Sequence, residues 1–147
     1  MKVTLEYTGG KQGASWQAKT ESGHQLVLDG SPDIGGQDLG PRPMELTLIS
    51  LAGCSSMDVL HILRKGRAVI HQCHVEVTAE RVTSVPKVFS KIHLHFVVDG
   101  EAMDDAKVAR AVSLSLEKYC SVAQMLIPNV GISGSYTLVH GASNDGS

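Results

Sequence analysis

Residues 43–63 read PMELTLISLAGCSSMDVLHIL. Pro43 suits the first position of a helix, where its missing N–H costs nothing. Leu46, Ile49, Gly53, Met57, Leu60 and Leu63 then recur at three- and four-residue spacing. Leu48, Leu51, Ala52 and Val59 widen the apolar surface well beyond one stripe. "RKGR" at 64–67 supplies the cations and the glycine that a helix C-terminus favours. A helix apolar nearly all round is buried on several sides. In a chain of 147 residues, part of that cover is expected from a second subunit. Glu45, Asp58 and His61 make the segment a poor membrane span.

On the N-terminal side the sequence reads as three short strands. Val3, Leu5 and Tyr7 alternate with polar residues, and "TGGKQG" (8–13) makes a turn. "ASWQAK" (14–19) and "HQLVLDG" (24–30) continue a meander, and the Gly-, Pro- and Asp-rich segment 30–42 is a loop. On the C-terminal side two long strands follow. Over 68–82, Val69, His71, Cys73, Val75, Val77 and Ala79 share a face; over 87–100, Val88, Ile92, Leu94, Phe96 and Val98 do. A second helix over 102–119 groups Val108, Val112, Leu116 and Tyr119, and "CSVAQMLIP" (120–128) is a further helical segment. Residues 130–139 form a last strand, and the small polar tail, 140–147, is expected to be disordered. The order β-β-β-α-β-β-α-α-β gives a single α+β domain over residues 1–139, with antiparallel strands folded over helices.

Bulk composition narrows the function. A net charge of −2 leaves no basic footprint for nucleic acid. "MKVTLEYTGG" lacks the apolar core of a signal peptide, so a cytoplasmic protein is expected, with no membrane partner. Three cysteines, Cys54, Cys73 and Cys120, are too few and too scattered for a secreted disulfide framework, and no C-x-x-C pair is present. In a reducing compartment each is either a buried apolar residue or chemistry. Cys73 alternates with valines and reads as core. Cys54 lies too far along its helix for the N-terminal dipole to help a thiolate. Asp58 at i+4 and His61 at i+7 share its side, with opposite effects on its ionisation. Cys120 sits at a break between helical segments, where free N–H groups stabilise a thiolate. On the residues alone, core and nucleophile both stay open for Cys54 and Cys120.

"GPRPMELTLISLAGCSSMDVL" (40–60) resembles the central-helix signature of the OsmC/Ohr family, the osmotically inducible and organic-hydroperoxide-resistance proteins. "LEKYCSVAQML" (116–126) resembles that family's second cysteine motif, and "TGGKQG" its N-terminal hairpin turn. The likeness spans about residues 1–139 and is nearest to the less characterised YhfA-like branch. It implies an intertwined homodimer, in which antiparallel sheets wrap around two long central helices. It also implies thiol peroxidase chemistry without a cofactor or metal. Cys54 matches the peroxidatic cysteine and Cys120 the resolving one. The substrate is a small organic hydroperoxide and the reductant a dithiol, lipoylated or other. Met57, Leu60 and Met125 are candidates to line the apolar substrate pocket.

Two positions depart from the family pattern. The family's peroxidases carry a glutamate ten residues before the first cysteine; Met44 stands there, with Glu45 beside it. On an ideal helix, nine residues turn Glu45 about 900° from Cys54. The family's catalytic arginine lies near the N-terminal turn, where this chain has Lys11; Arg42 is the alternative cation. Lysine supplies charge without a bidentate fork. Two rival readings are a metal site among His71, Cys73, His74, His93 and His95, and a non-catalytic module holding a small apolar ligand. Strand alternation scatters that histidine set over two faces.

Overall fold

The computed structural model describes residues 1–140. The chain divides into two compact units, Met1–Ile49 and the residues from Ser50 onward. The small polar tail from residue 141 lies outside the described residues. His140, the last of them, bonds through Nδ1 to Asp99 Oδ1 at 2.5 Å.

In the first unit, β1 (Val3–Tyr7), β2 (Trp16–Thr20) and β3 (Gln25–Leu28) form an antiparallel meander in the order β1-β2-β3. The 8–13 turn closes because Gly13 N donates to Gly9 O (2.8 Å) and the Tyr7 hydroxyl donates to Gly10 O and Gly13 O (2.8 and 2.9 Å). Gly10 takes φ +66°, which L side chains rarely adopt. The loop after β3 contains one 3-10 turn (Pro32–Ile34) and is organised by Asp29. Its carboxylate accepts from Gly30 N, Gln37 N and Leu39 N at 2.8, 2.9 and 3.2 Å. Those amides, led by Gln37, hold the Asp29 carboxyl below its ordinary range.

Helix α1 (Pro43–Lys65) begins in the first unit and continues into the second. By length and composition alone it passes as a membrane span despite Glu45, Asp58 and His61, a test that the core helix of a soluble protein passes as well. Its buried residues are Leu51, Ser55, Val59 and Leu63, a strict i, i+4 row. Ile49 and Met57, from the stripe expected to be inside, are 58% and 73% exposed. An all-round apolar helix carries no periodic signal that selects a face, so packing selected it.

In the second unit, β4 (Val69–Arg81), β5 (Phe89–Glu101) and β6 (Gly131–Leu138) form one sheet with β5 central. β4 and β5 pair antiparallel, as expected. β6 pairs parallel to β5, which corrects the all-antiparallel expectation. The helical crossover between them, α2 (Asp105–Leu114) and α3 (Ser121–Leu126), is what a parallel neighbour requires.

Two register shifts also correct the expected faces. Ile70 pairs with Gly100 but Gln72 with Asp99, so His71 is an extra residue in β4. Ile70, Cys73, Val75 and Val77 therefore share the inner side, while Val69 and His71 are exposed. Similarly, Glu80 pairs with Lys91 and Arg81 with Phe89. Phe89 is buried and Val88 exposed, the reverse of simple alternation. Ile92, Leu94, Phe96 and Val98 are fully buried, as alternation required.

Asp104 caps α2, its side chain accepting from Lys107 N at 2.8 Å. α2 lies against β6 at Gly134, where a Cβ would come within 2.6 Å of Leu116 Cδ1 and 2.9 Å of Val112 Cγ1. The helix does not run straight to residue 119. Residues Ser115–Tyr119 form a π turn, in which the wider winding leaves Tyr119 half exposed. Ser115, Leu116 and Cys120 are buried.

Candidate functional site: a thiol pair with a carboxylate

The second unit brings together two cysteines that lie far apart in sequence. Cys54 Sγ, Cys120 Sγ and a carboxylate oxygen of Asp58 all lie within 4.8 Å of one another. Cys54 and Asp58 are half-buried and Cys120 is buried. The i, i+4 spacing on α1 stacks Asp58 directly below Cys54 on one helix face.

The π turn delivers Cys120. Its N–H donates to Ser115 O at 2.7 Å, which closes the wide turn, and Cys120 then caps α3. Ala123 N donates to Cys120 Sγ at 3.4 Å. Ser115, fully buried on the same turn, ties this segment to α1. Its hydroxyl donates to Ser55 O at 3.0 Å and lies 3.4 Å from Asp58 Oδ2. Ser55 turns its own hydroxyl back to Leu51 O at 2.8 Å.

Burial sets the electrostatics of Cys120. Loss of hydration pushes its thiol up to about 11, the Ala123 amide pulls against that, and the neighbouring Cys54 adds to the rise. Cys120 is therefore a thiol at neutral pH. The α3 amide that was expected to favour a thiolate is present but outweighed. Cys73 lies on the inner side of β4, opposite Val98, and burial raises its pKa as well.

A cavity of 660 Å³ opens beside this group. Asp58, His61, Ile62, Lys107, Arg110 and Tyr119 are among its lining. Met57, Leu60 and Met125 are not among its lining residues, and Met57 and Met125 are 73% and 71% exposed. Met57 and Met125 lie at the surface of the single chain, and Leu60 is half-buried.

The first unit carries the remaining candidates. Lys11 is exposed at the tip of the 8–13 turn, in a concavity shared with Gln12 and Gln37. Glu45 Oε1 accepts from the backbone N–H of Arg42 at 3.0 Å. That is half of a capping box, with Glu45 at the third helical position reaching back to the residue before Pro43. Glu45 thus has a local structural task, served by Arg42's backbone. The Arg42 side chain is exposed, and its charge contributes to lowering the Asp29 pKa.

The histidines do not converge. His71 is bulged out of β4 and lies 3.6 Å from Glu101 Oε1. His93 bonds Ser133 and Ser135, and His95 bonds Ser135 and Thr137, at 2.6–2.9 Å, so both ring nitrogens of each are held by β6 hydroxyls. Ser115 is the site residue that sequence reading passed over. Only its place five residues before Cys120 would have flagged it, and that spacing has meaning only in a π turn.

Comparison with known proteins shows what the chain is similar to. The profile of a family described as "OsmC-like protein" matches residues 35–133. Protein YhfA of Escherichia coli K12 is 46% identical over 128 residues, covering 87% of this chain and 92% of that protein. A crystal structure of a hypothetical protein from Aquifex aeolicus shares 30% identity with TM-score 0.77, covering 95% of this chain and 97% of that one. The organic hydroperoxide resistance protein OhrB of Bacillus subtilis shares the fold, with TM-score 0.62 at 17% identity, covering 92% and 96%.

Proposed function

Because this chain belongs to the OsmC-like protein family, we propose that it reduces organic hydroperoxides with Cys54 as the attacking thiol and Cys120 as the resolving one. The family includes hydroperoxide-resistance proteins, among them OhrB of Bacillus subtilis. The observation that carries the reading is the separation of the two sulfurs, within 4.8 Å across a long sequence gap.

The chemistry balances in three steps. The Cys54 thiolate attacks the terminal oxygen of ROOH and the O–O bond breaks. The alkoxide leaves and takes a proton as ROH, and Cys54 becomes a sulfenic acid. Cys120 then attacks the Cys54 sulfur, and water leaves as the disulfide forms. An external dithiol reduces that disulfide by exchange and is itself oxidised. Division of labour between the thiols follows from burial. Cys120, pushed up to about 11, is a poor first nucleophile and suits the second step, where the partner sulfur is already adjacent.

Activation differs from the family's peroxidase pattern. Met44 and Lys11 stand where that pattern has glutamate and arginine, and Glu45 is engaged in capping α1. Asp58 places a carboxylate oxygen within 4.8 Å of the Cys54 sulfur, and no arginine is among the residues of that cluster. A slow peroxidase follows from these features. They equally favour a second reading, a non-catalytic OsmC-like protein that holds a small apolar ligand in the cavity lined by Ile62, Leu63 and Leu114.

The working form in this proposal is a homodimer. The exposed Ile49 and Met57 on an otherwise apolar helix support it, because apolar area of that kind is normally covered. A cytoplasmic setting suits three unpaired cysteines. The test is hydroperoxide consumption with a dithiol reductant by the wild type and by Cys54→Ser. Turnover by the wild type and its loss in the variant support the peroxidase. Background rates from both proteins transfer the assignment to the binding reading.

A further inference from the structure

The group at Cys54 has the donor set of a cation site. Two thiols and a carboxylate converge within 4.8 Å of one another. A divalent metal ion matches this donor set, because two thiolates and a carboxylate carry three negative charges against its two positive ones.

The spacing fits. Tetrahedral zinc holds sulfur at about 2.3 Å and carboxylate oxygen at about 2.0–2.2 Å, so its ligand atoms lie roughly 3.5–3.8 Å from one another. The three ligand atoms, all within 4.8 Å of one another, stand close to that range. Outer contacts are also in place. Ala123 N–H already points at Cys120 Sγ, and the Ser115 hydroxyl lies 3.4 Å from Asp58 Oδ2. Asp58 also lines the 660 Å³ cavity, so one ligand faces open space. Two sulfurs and one oxygen select a thiophilic ion over magnesium or calcium.

We propose that the reduced protein binds one zinc ion through Cys54 Sγ, Cys120 Sγ and an Asp58 carboxylate oxygen, with water in the fourth position. Binding releases one proton from each thiol and closes Cys54 to oxidants while the metal stays bound. The inference needs the two thiols reduced and adjacent. It does not need them to turn over peroxide.

The experiment titrates reduced, full-length protein with cobalt(II) under anaerobic conditions and then with zinc. The expected result is one cobalt per chain, with sulfur-to-cobalt charge-transfer absorption that zinc abolishes. Asp58→Asn should weaken binding about tenfold or more, and Cys54→Ser should weaken it and cut the charge-transfer absorption per bound cobalt to about half, because one of two sulfur ligands is lost. Because Cys120 is fully buried and its variants risk misfolding, the wild type supplies the complementary measurement. Zinc should slow alkylation of Cys54 at least about tenfold, with full recovery on chelation. A titration without charge-transfer absorption, unchanged affinity in Asp58→Asn, or unprotected Cys54 would overturn the proposal. Peroxide consumption measured in chelator reports on the peroxidase reading alone, so the two can fail separately.

Discussion

One equivalent of an organic hydroperoxide, added to the reduced protein, is expected to join Cys54 to Cys120 and to make the fold harder to unfold. The size of the effect follows from chain entropy. A bond between these residues closes a loop of about 67 residues in the unfolded chain, which corresponds to about 4 kcal/mol in that model. Native-state strain subtracts from this, and the sulfurs already within 4.8 Å keep the strain small. For a chain of this length each kcal/mol shifts the melting temperature by about 2–4 °C, so oxidation should raise it by roughly 8–16 °C. The assay is calorimetry of peroxide-treated and dithiol-treated samples at one protein concentration, because the midpoint of an oligomer depends on concentration. Peptide mapping should find Cys73, held on the inner side of β4 opposite Val98, still free. An oxidised protein that melts at or below the reduced one would refute the reasoning, as would a disulfide that includes Cys73.

Two further outcomes follow from the hydrogen bonding. Ser115→Ala removes a fully buried hydroxyl that ties the π turn to Ser55 O, and should cost about 1–2 kcal/mol in urea unfolding; a midpoint equal to wild type would show that this tie does not hold Cys120 against α1. Asp29 has a lowered folded-state pKa, so its contribution to stability is complete above its ordinary value of 3.8 and is lost as pH falls through the lowered one. Asp29→Asn should therefore unfold at lower urea than wild type at pH 7, with the gap narrowing below about pH 4; a gap that persists or widens in acid contradicts the amide-stabilised carboxylate.

Much of the architecture was legible because its causes are local. Pro43 and the "RKGR" run bracket α1 near its observed ends, and alternation over Ile92, Leu94, Phe96 and Val98 marks the buried side of β5. The failures occur where one residue is inserted or a turn is widened. His71 and the neighbourhood of Ser90 shift the β4–β5 register, and each shift moves the residues beyond it to the other face. Tyr119 was grouped with Val108 by an α-helical period that the π turn does not obey. Glu45 was a candidate for the site, yet its spacing from Arg42 also spells a capping box, and that local contact is the one formed.

The sequence by itself determined the α+β order, the apolar central helix and the two cysteine motifs that carry the family resemblance. Those are properties of period, turn chemistry and motif, each contained in a short run of residues. Only the tertiary structure decided which side of α1 is buried, that β6 runs parallel to β5, and that Asp58 and Ser115 stand with the two thiols. Each of these depends on which distant segments compete for the same contact. An all-round apolar helix and a π turn look the same in one dimension as their alternatives, and differ only once Ser115 reaches Ser55 and Cys120 reaches Cys54.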